Sequence, residues 1–204
     1  MDKKLKDIAA RLLLREEPPR LSPLHVWDEQ LESEIRELNW DWGARGEETA
    51  IKALMAGLYL LNDSLDASHS FAQQIEFDAT GAYWHGLMHR MEQDFGNSKY
   101  WFMQAGRHPV KEKVRSGVSF WLKENSGFGA ETRGEGVTLL LEYRDDTAWT
   151  PSSFVDLITS QQKKGASNAV VSIVEHLQHL ELKELFKHTL SDAGFGESRI
   201  AELR

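Results

Sequence analysis

The chain has 204 residues, 41% hydrophobic and 27% charged, with a net charge of −8, which is the composition of a globular chain long enough for one well-cored domain or two small ones. The acidic balance disfavours nucleic acid and anionic membranes, and no long Lys/Arg run offsets it. There is no cysteine, which excludes disulfides, thiolate catalysis, Cys-based zinc sites and iron–sulfur clusters.

The first segment, MDKKLKDIAARLLLREE, opens with lysines as a signal peptide does. Its apolar run is broken by Asp7, Arg11 and Arg15, so it reads as an amphipathic helix with Leu5, Ile8, Ala9, Leu12 and Leu13 on one side. No apolar window has the length of a membrane span, and the expected location is the cytoplasm. Pro18, Pro19 and Pro23 end this helix in a rigid turn. A second helix is expected over 27–38, then a loop, NWDWGARG, whose Trp40 and Trp42 either pack or line a pocket. Residues 47–61 carry Ile51, Leu54, Met55, Leu58 and Leu61 at helical period. Helical segments follow at 65–75, 82–93 and 97–105, with 77–81 as a linker and Gly106 and Pro109 closing the group.

The segments 47–75 and 82–105 align on each other at an offset of thirty or thirty-one residues, with Leu65 on Phe95, Ser68 on Ser98, His69 on Lys99 and Asp63 near Asp94. Self-similarity at this period marks stacked helix–turn–helix units. The second pair resembles a tetratricopeptide repeat through Gly86, Ser98, Phe102 and Ala105, with Pro109 one residue early. Trp84 is out of register with that pattern's tryptophan, and His89 stands where a tyrosine is usual.

Beyond residue 109 a helix is expected over 111–124, then a glycine-rich loop, NSGFGAETRGEG. VTLLLEY, 137–143, is a short β element or a short helix, between which periodicity does not decide. Thr150 followed by Pro151 starts a helix through Phe154, Leu157 and Ile158. Ser167 starts another that runs toward Gly194.

The chemistry concentrates in 82–109, AYWHGLMHRMEQDFGNSKYWFMQAGRHP, with three histidines, two tryptophans, two arginines and a lysine. On a helix, Trp84, Leu87, Met88 and Met91 form an apolar stripe. His85, His89 and Glu92 form a second stripe at i, i+4 and i+7. Two imidazoles one turn apart can share a metal, and Glu92, His69 or His108 can add a third donor. His69 approaches the His85/His89 face if the pairs stack. Two histidines and a carboxylate suit Zn, Fe or Mn, although Gly86 stands where a zinc hydrolase carries its glutamate base. The alternative is that these are boundary histidines bonded to backbone or carboxylates. Arg90 and Lys99 either bind an anion, alongside Trp84 and Trp101, or pair with Glu92 and Asp94. Met88, Met91 and Met103 read as core filler. GAETRGEG lacks the phosphate-loop lysine, and no G-x-S-x-G nucleophile elbow is present.

Residues Tyr83, Trp84, His85, His89, Arg90, Asn97, Lys99, Tyr100, Trp101, His108 and Pro109 make a pattern Y-W-H-x3-H-R, N-x-K-Y-W-F, H-P. It is similar to the signature of a widespread bacterial and fungal family, which shares an upstream Ser–His like Ser68–His69 and a stretch like 149–157. The resemblance points to this face and implies no reaction.

The expectation is therefore one mostly α-helical domain, 1–204, of stacked antiparallel helix pairs (47–109) with flanking helices and either helix or β at 137–143. It serves as a protein- or peptide-binding module, or as a metal-binding protein or metal-dependent enzyme using His69, His85, His89, Glu92 and His108 with a divalent transition metal. Self-association is open in either case.

Overall fold

A computed structural model describes residues 3–40, 45–125, 135–164 and 168–195. Those residues form ten α-helices and one 3-10 turn, with no strand among them. The helices are α1 (Lys3–Leu13), α2 (Glu29–Arg36), α3 (Arg45–Leu61), α4 (Leu65–Ala72), α5 (Ala79–Met91), α6 (Phe95–Gln104), α7 (Val110–Glu124), α8 (Glu135–Arg144), α9 (Pro151–Lys164) and α10 (Asn168–Asp192).

The helix starts have local causes. Asp28 accepts from the Leu31 N–H at the head of α2, and Asp78 accepts from Thr80 and Gly81 at the head of α5. Such caps satisfy donors that the first turn leaves without partners. The Asp78 cap starts α5 at Ala79, so helix replaces most of the linker expected at 77–81. Gln73–Ile75 continues α4 as the 3-10 turn.

The pairs α3/α4 and α5/α6 pack against each other, and four features repeat thirty residues apart. Ser68 Oγ donates to the Ala56 carbonyl at 2.9 Å and Ser98 Oγ to the Gly86 carbonyl at 2.8 Å. Asp63 and Gln93 have φ of 61° and 69°. The amides of Ser64 and Asp94 each donate five residues back, to Tyr59 and His89, at 2.9 Å. Ala56 and Gly86 let their partner helices come close: a Cβ on Gly86 would stand 2.8 Å from the Phe102 ring. Gln93, not Asp94, is thus the counterpart of Asp63.

The expected β alternative at 137–143 is overturned. VTLLLEY lies inside α8, where Leu140 and Tyr143, three residues apart, are both buried. Their spacing suits one helical face, and α8 finds α7 and α9 as neighbours. Residues 126–134 of the glycine-rich loop and Trp42 lie outside the described residues, and Trp40 donates its indole N–H to Met55 Sδ at 3.2 Å.

Helix α10 closes the assembly. At 25 residues it spans roughly 37 Å and packs on α3, α5, α7 and α9. It brings polar groups into the core: Gln178, Glu181 and Thr189 are fully buried. Each has a partner, as buried polar groups generally do. The Arg90 guanidinium meets Glu181 Oε2 at 2.6 Å through Nη1 and donates from Nε to Gln178 at 3.1 Å. Glu181 Oε1 accepts from the Tyr83 hydroxyl at 2.6 Å and from the Trp149 indole at 2.7 Å. Trp84 donates to Thr189 at 3.1 Å.

Candidate metal centre

Helices α4 and α5 set the centre. The Asp78 cap fixes the start of α5, which places His85 and His89 one turn apart on the side facing α4 and α6. His69 projects from the middle of α4. The three imidazoles meet: ring centroids are 4.8 Å apart for His69–His85, 5.3 Å for His69–His89 and 4.7 Å for His85–His89. One nitrogen from each can be chosen so that all three lie within 4.8 Å of one another. Trp101 of α6 stacks on His85 at 4.2 Å and 15°, and Tyr100 packs edge-on against Trp101.

The hydrogen bonding of the three rings is uneven. His89 Nδ1 lies 2.5 Å from Glu92 Oε1. This contact orients the ring and leaves Nε2 as the other donor, the arrangement that carboxylates provide behind metal-ligating histidines. His85 is buried, and neither of its ring nitrogens has a partner. Burial pushes the His85 imidazole down to about 3, with the neighbouring His89 and His69 adding to the effect. His85 is therefore neutral near pH 7, the state in which imidazole ligates metals.

Of the other expected metal donors, Glu92 touches the three rings only through His89 and His108 lies apart from them. Glu92 meets His89, and with His89 and the exposed Asp94 it forms a second loose group of donors within 4.8 Å. Asp94 is already occupied, capping α6 through the Asn97 N–H and holding the Asn97 amide. His108 is not a member. Its Nδ1 accepts from the Val110 N–H at 3.2 Å, so Nε2 carries the proton and faces Thr80 Oγ1 at 3.1 Å, with His188 edge-on at 4.8 Å. Pro109 leads directly into α7 and holds His108 on that side of α5.

Arg90 and Lys99 pair with neither Glu92 nor Asp94. Arg90 is sealed in the core against Glu181, with Phe154 and Phe102 under its guanidinium at 5.0 and 5.7 Å. Lys99 reaches Asp156 of α9 at 2.5 Å. Trp84 is wholly buried against Gly57 and Thr189, so neither it nor Arg90 faces a ligand from solvent. Met88 and Met91 are core residues, whereas Met103 is 67% exposed. Neither the pairing of Arg90 with Glu181 nor the contact of His108 with His188 is legible in the sequence. The only local signal was polar residues at 178, 181 and 189 set among the leucines of α10.

No family model, no curated protein and no solved structure matches the chain.

Proposed function

We propose that the chain is a metal-binding protein and that His69, His85 and His89 take one divalent transition metal. The observation that carries this reading is His85, a buried imidazole with both nitrogens unpaired, set between two further imidazoles. A buried polar group without a partner costs about 1–3 kcal/mol, and a metal ion bound between the rings removes that cost for the one His85 nitrogen it takes. The repeat geometry adds a second support. Thirty residues upstream of His85 and His89 stand Met55 and Tyr59, both buried. The same helical positions in the first pair are apolar, so the packing does not demand histidine there.

The donor set is all imidazole, which suits Zn, Cu, Ni or Fe better than Mg or Ca. Ligand atoms around a tetrahedral zinc lie about 3.3 Å apart for bonds near 2.05 Å. The ligand atoms lie within 4.8 Å of one another, a gap that side-chain rotation can close. A peptide-binding role has the stacked helix pairs as its support and no residue-level feature of comparable weight.

The test is elemental analysis of untagged protein after gel filtration, with zinc titration of the metal-free form followed by calorimetry. About one equivalent of metal is expected, lost in His85→Ala/His89→Ala. His69→Ala, at the half-buried edge, is a second variant that spares the core. A folded wild-type protein that binds no transition metal tighter than millimolar would falsify the proposal.

A further inference from the structure

We infer that the metal bound by His69, His85 and His89 keeps one position for an exchangeable solvent molecule, and that the loaded centre hydrolyses uncharged esters. This rests on the metal-binding reading above and goes on to its chemistry.

The first argument is donor number. Structural zinc sites are closed by four protein ligands, whereas catalytic ones use three and keep the fourth position for water. Among the described residues, three imidazoles converge here. The groups that could supply a fourth donor are committed. Glu92 holds His89 Nδ1, Asp94 caps α6, and His108 lies with Thr80 and His188. Solvent is left to complete the shell.

The second argument is access. His85 and His89 are buried, but His69 and Trp101 are only half-buried and the Glu92 side chain is 36% exposed. The centre therefore lies at the edge of the α4–α5–α6 layer rather than inside the core. Tyr100, 48% exposed, extends the aromatic wall of Trp101 outward from His85.

The third argument is charge. The acidic groups at this edge are Glu92 and Asp94, and the two cations of the same segments are used elsewhere, Arg90 by Glu181 and Lys99 by Asp156. Neither the Arg90 guanidinium nor the Lys99 ammonium is therefore offered to a phosphate or carboxylate. An uncharged carbonyl compound meets less repulsion, and the Trp101–Tyr100 wall favours one with an aromatic or apolar portion.

The chemistry balances without an oxidant or a further co-reactant. A metal lowers the pKa of bound water to near 7. The bound water would give its proton to solvent and the hydroxide would add to the ester carbonyl carbon; the carbon–oxygen bond to the leaving group would then break, and the departing alkoxide or phenolate would take a proton from solvent. The acid product gives its proton to solvent, and a second water takes the vacant position.

The experiment uses the full chain loaded with Co2+, followed by its visible spectrum, then titration with azide. Zinc-loaded protein is assayed in parallel on p-nitrophenyl acetate. The expected result is one bound cobalt, visible bands that shift with azide, and hydrolysis at least ten-fold above the metal-free protein and above His69→Ala in the same zinc. Cobalt bound with a spectrum indifferent to azide means a closed shell and overturns the inference while leaving metal binding intact. An azide response with hydrolysis no faster than in the controls overturns the hydrolytic assignment. Failure of cobalt and zinc to bind at all removes the metal reading itself.

Discussion

Substituting Arg90 by Met removes a buried cation while keeping most of its volume. Both Arg90 and Glu181 side chains are 0% exposed and meet at 2.6 Å. Removing one member of such a pair leaves the other charge uncompensated and costs about 3–5 kcal/mol. Gln178 also loses the Arg90 Nε donor. Against a usual total stability of about 5–15 kcal/mol, Arg90→Met is expected to fold at 25 °C with a much lower urea midpoint. Glu181→Met is expected to be worse. It strands the guanidinium and also orphans the Tyr83 hydroxyl and the Trp149 indole, at about 1–3 kcal/mol for each neutral donor. The double variant relieves the stranded charge but not those two donors, so it should be more stable than Glu181→Met and still less stable than wild type. Tyr83→Phe removes one bond to a charged acceptor and should cost about 1.5–3 kcal/mol. Urea unfolding followed by far-UV circular dichroism gives all four values and the coupling energy of the pair. An Arg90→Met variant within about 1 kcal/mol of wild type would show that the pair does not hold α10 to α5 as described.

Glu92→Ala takes the carboxylate from His89 Nδ1. Metal affinity should fall about 10–100-fold, while the metal-free stability moves by less than about 1 kcal/mol because Glu92 is partly exposed; competition with a zinc-sensitive dye measures the first and urea melts the second, and unchanged affinity removes Glu92 from the centre. Gly86→Ala puts a methyl 2.8 Å from the Phe102 ring, which Tyr83 and Arg90 hold in place. Overpacking of about 1–3 kcal/mol outweighs the gain of about 1 kcal/mol in helix propensity, so the melting temperature should drop; a rise would mean that α5 and α6 are not in close contact there. His108 is pushed down to about 4 by burial, with His188 and then Lys111 adding to it. The unfolded chain takes up a proton near pH 6.5 that the folded chain refuses until about pH 4, so this histidine's contribution is full above pH 6.5 and is lost as pH falls through that window, on the order of 3 kcal/mol in all. His108→Gln should flatten the urea-midpoint profile between pH 6.5 and 4, and a profile parallel to wild type would refute the assignment.

The readable part of this fold is the part governed by local pattern. Leu54, Leu58 and Leu61 announce α3, and Trp84, Leu87, Met88 and Met91 announce α5, because one helical face must be apolar; all seven are buried. VTLLLEY is ambiguous because five consecutive apolar or β-branched residues satisfy a strand as well as a buried helix. What decided it was the tertiary setting, a site between α7 and α9 with no strand to pair with among the described residues. The pairing of Arg90 with Glu181 was unreadable for a related reason. Ninety-one residues separate the two, and nothing local distinguishes Glu92, three positions from His89, from a carboxylate that α10 brings in.

The same contrast bears on the histidines. His85 and His89 were visible as a pair by spacing alone, and His69 by the offset that places α4 beside α5. Spacing does not say whether such imidazoles ligate or merely pack. In a packed site the fold can supply both bonds, as it does for His108 with the Val110 N–H and Thr80, or leave one nitrogen bare, as at His179 Nε2. His85 finds none, although it is as buried as His108. Two histidines of one segment thus differ in what the fold has done for them. One has its hydrogen bonds supplied by the turn into α7 and by Thr80 of α5, and the other has both nitrogens left open beside two more rings. Sequences that fold reliably break local rules mainly where function requires it. Met55 and Tyr59 show that the first helix pair meets the same packing demand with apolar side chains. The unsatisfied imidazole at 85 is therefore not required by the architecture, and under the metal-binding proposal a metal ion takes one of its two open nitrogens.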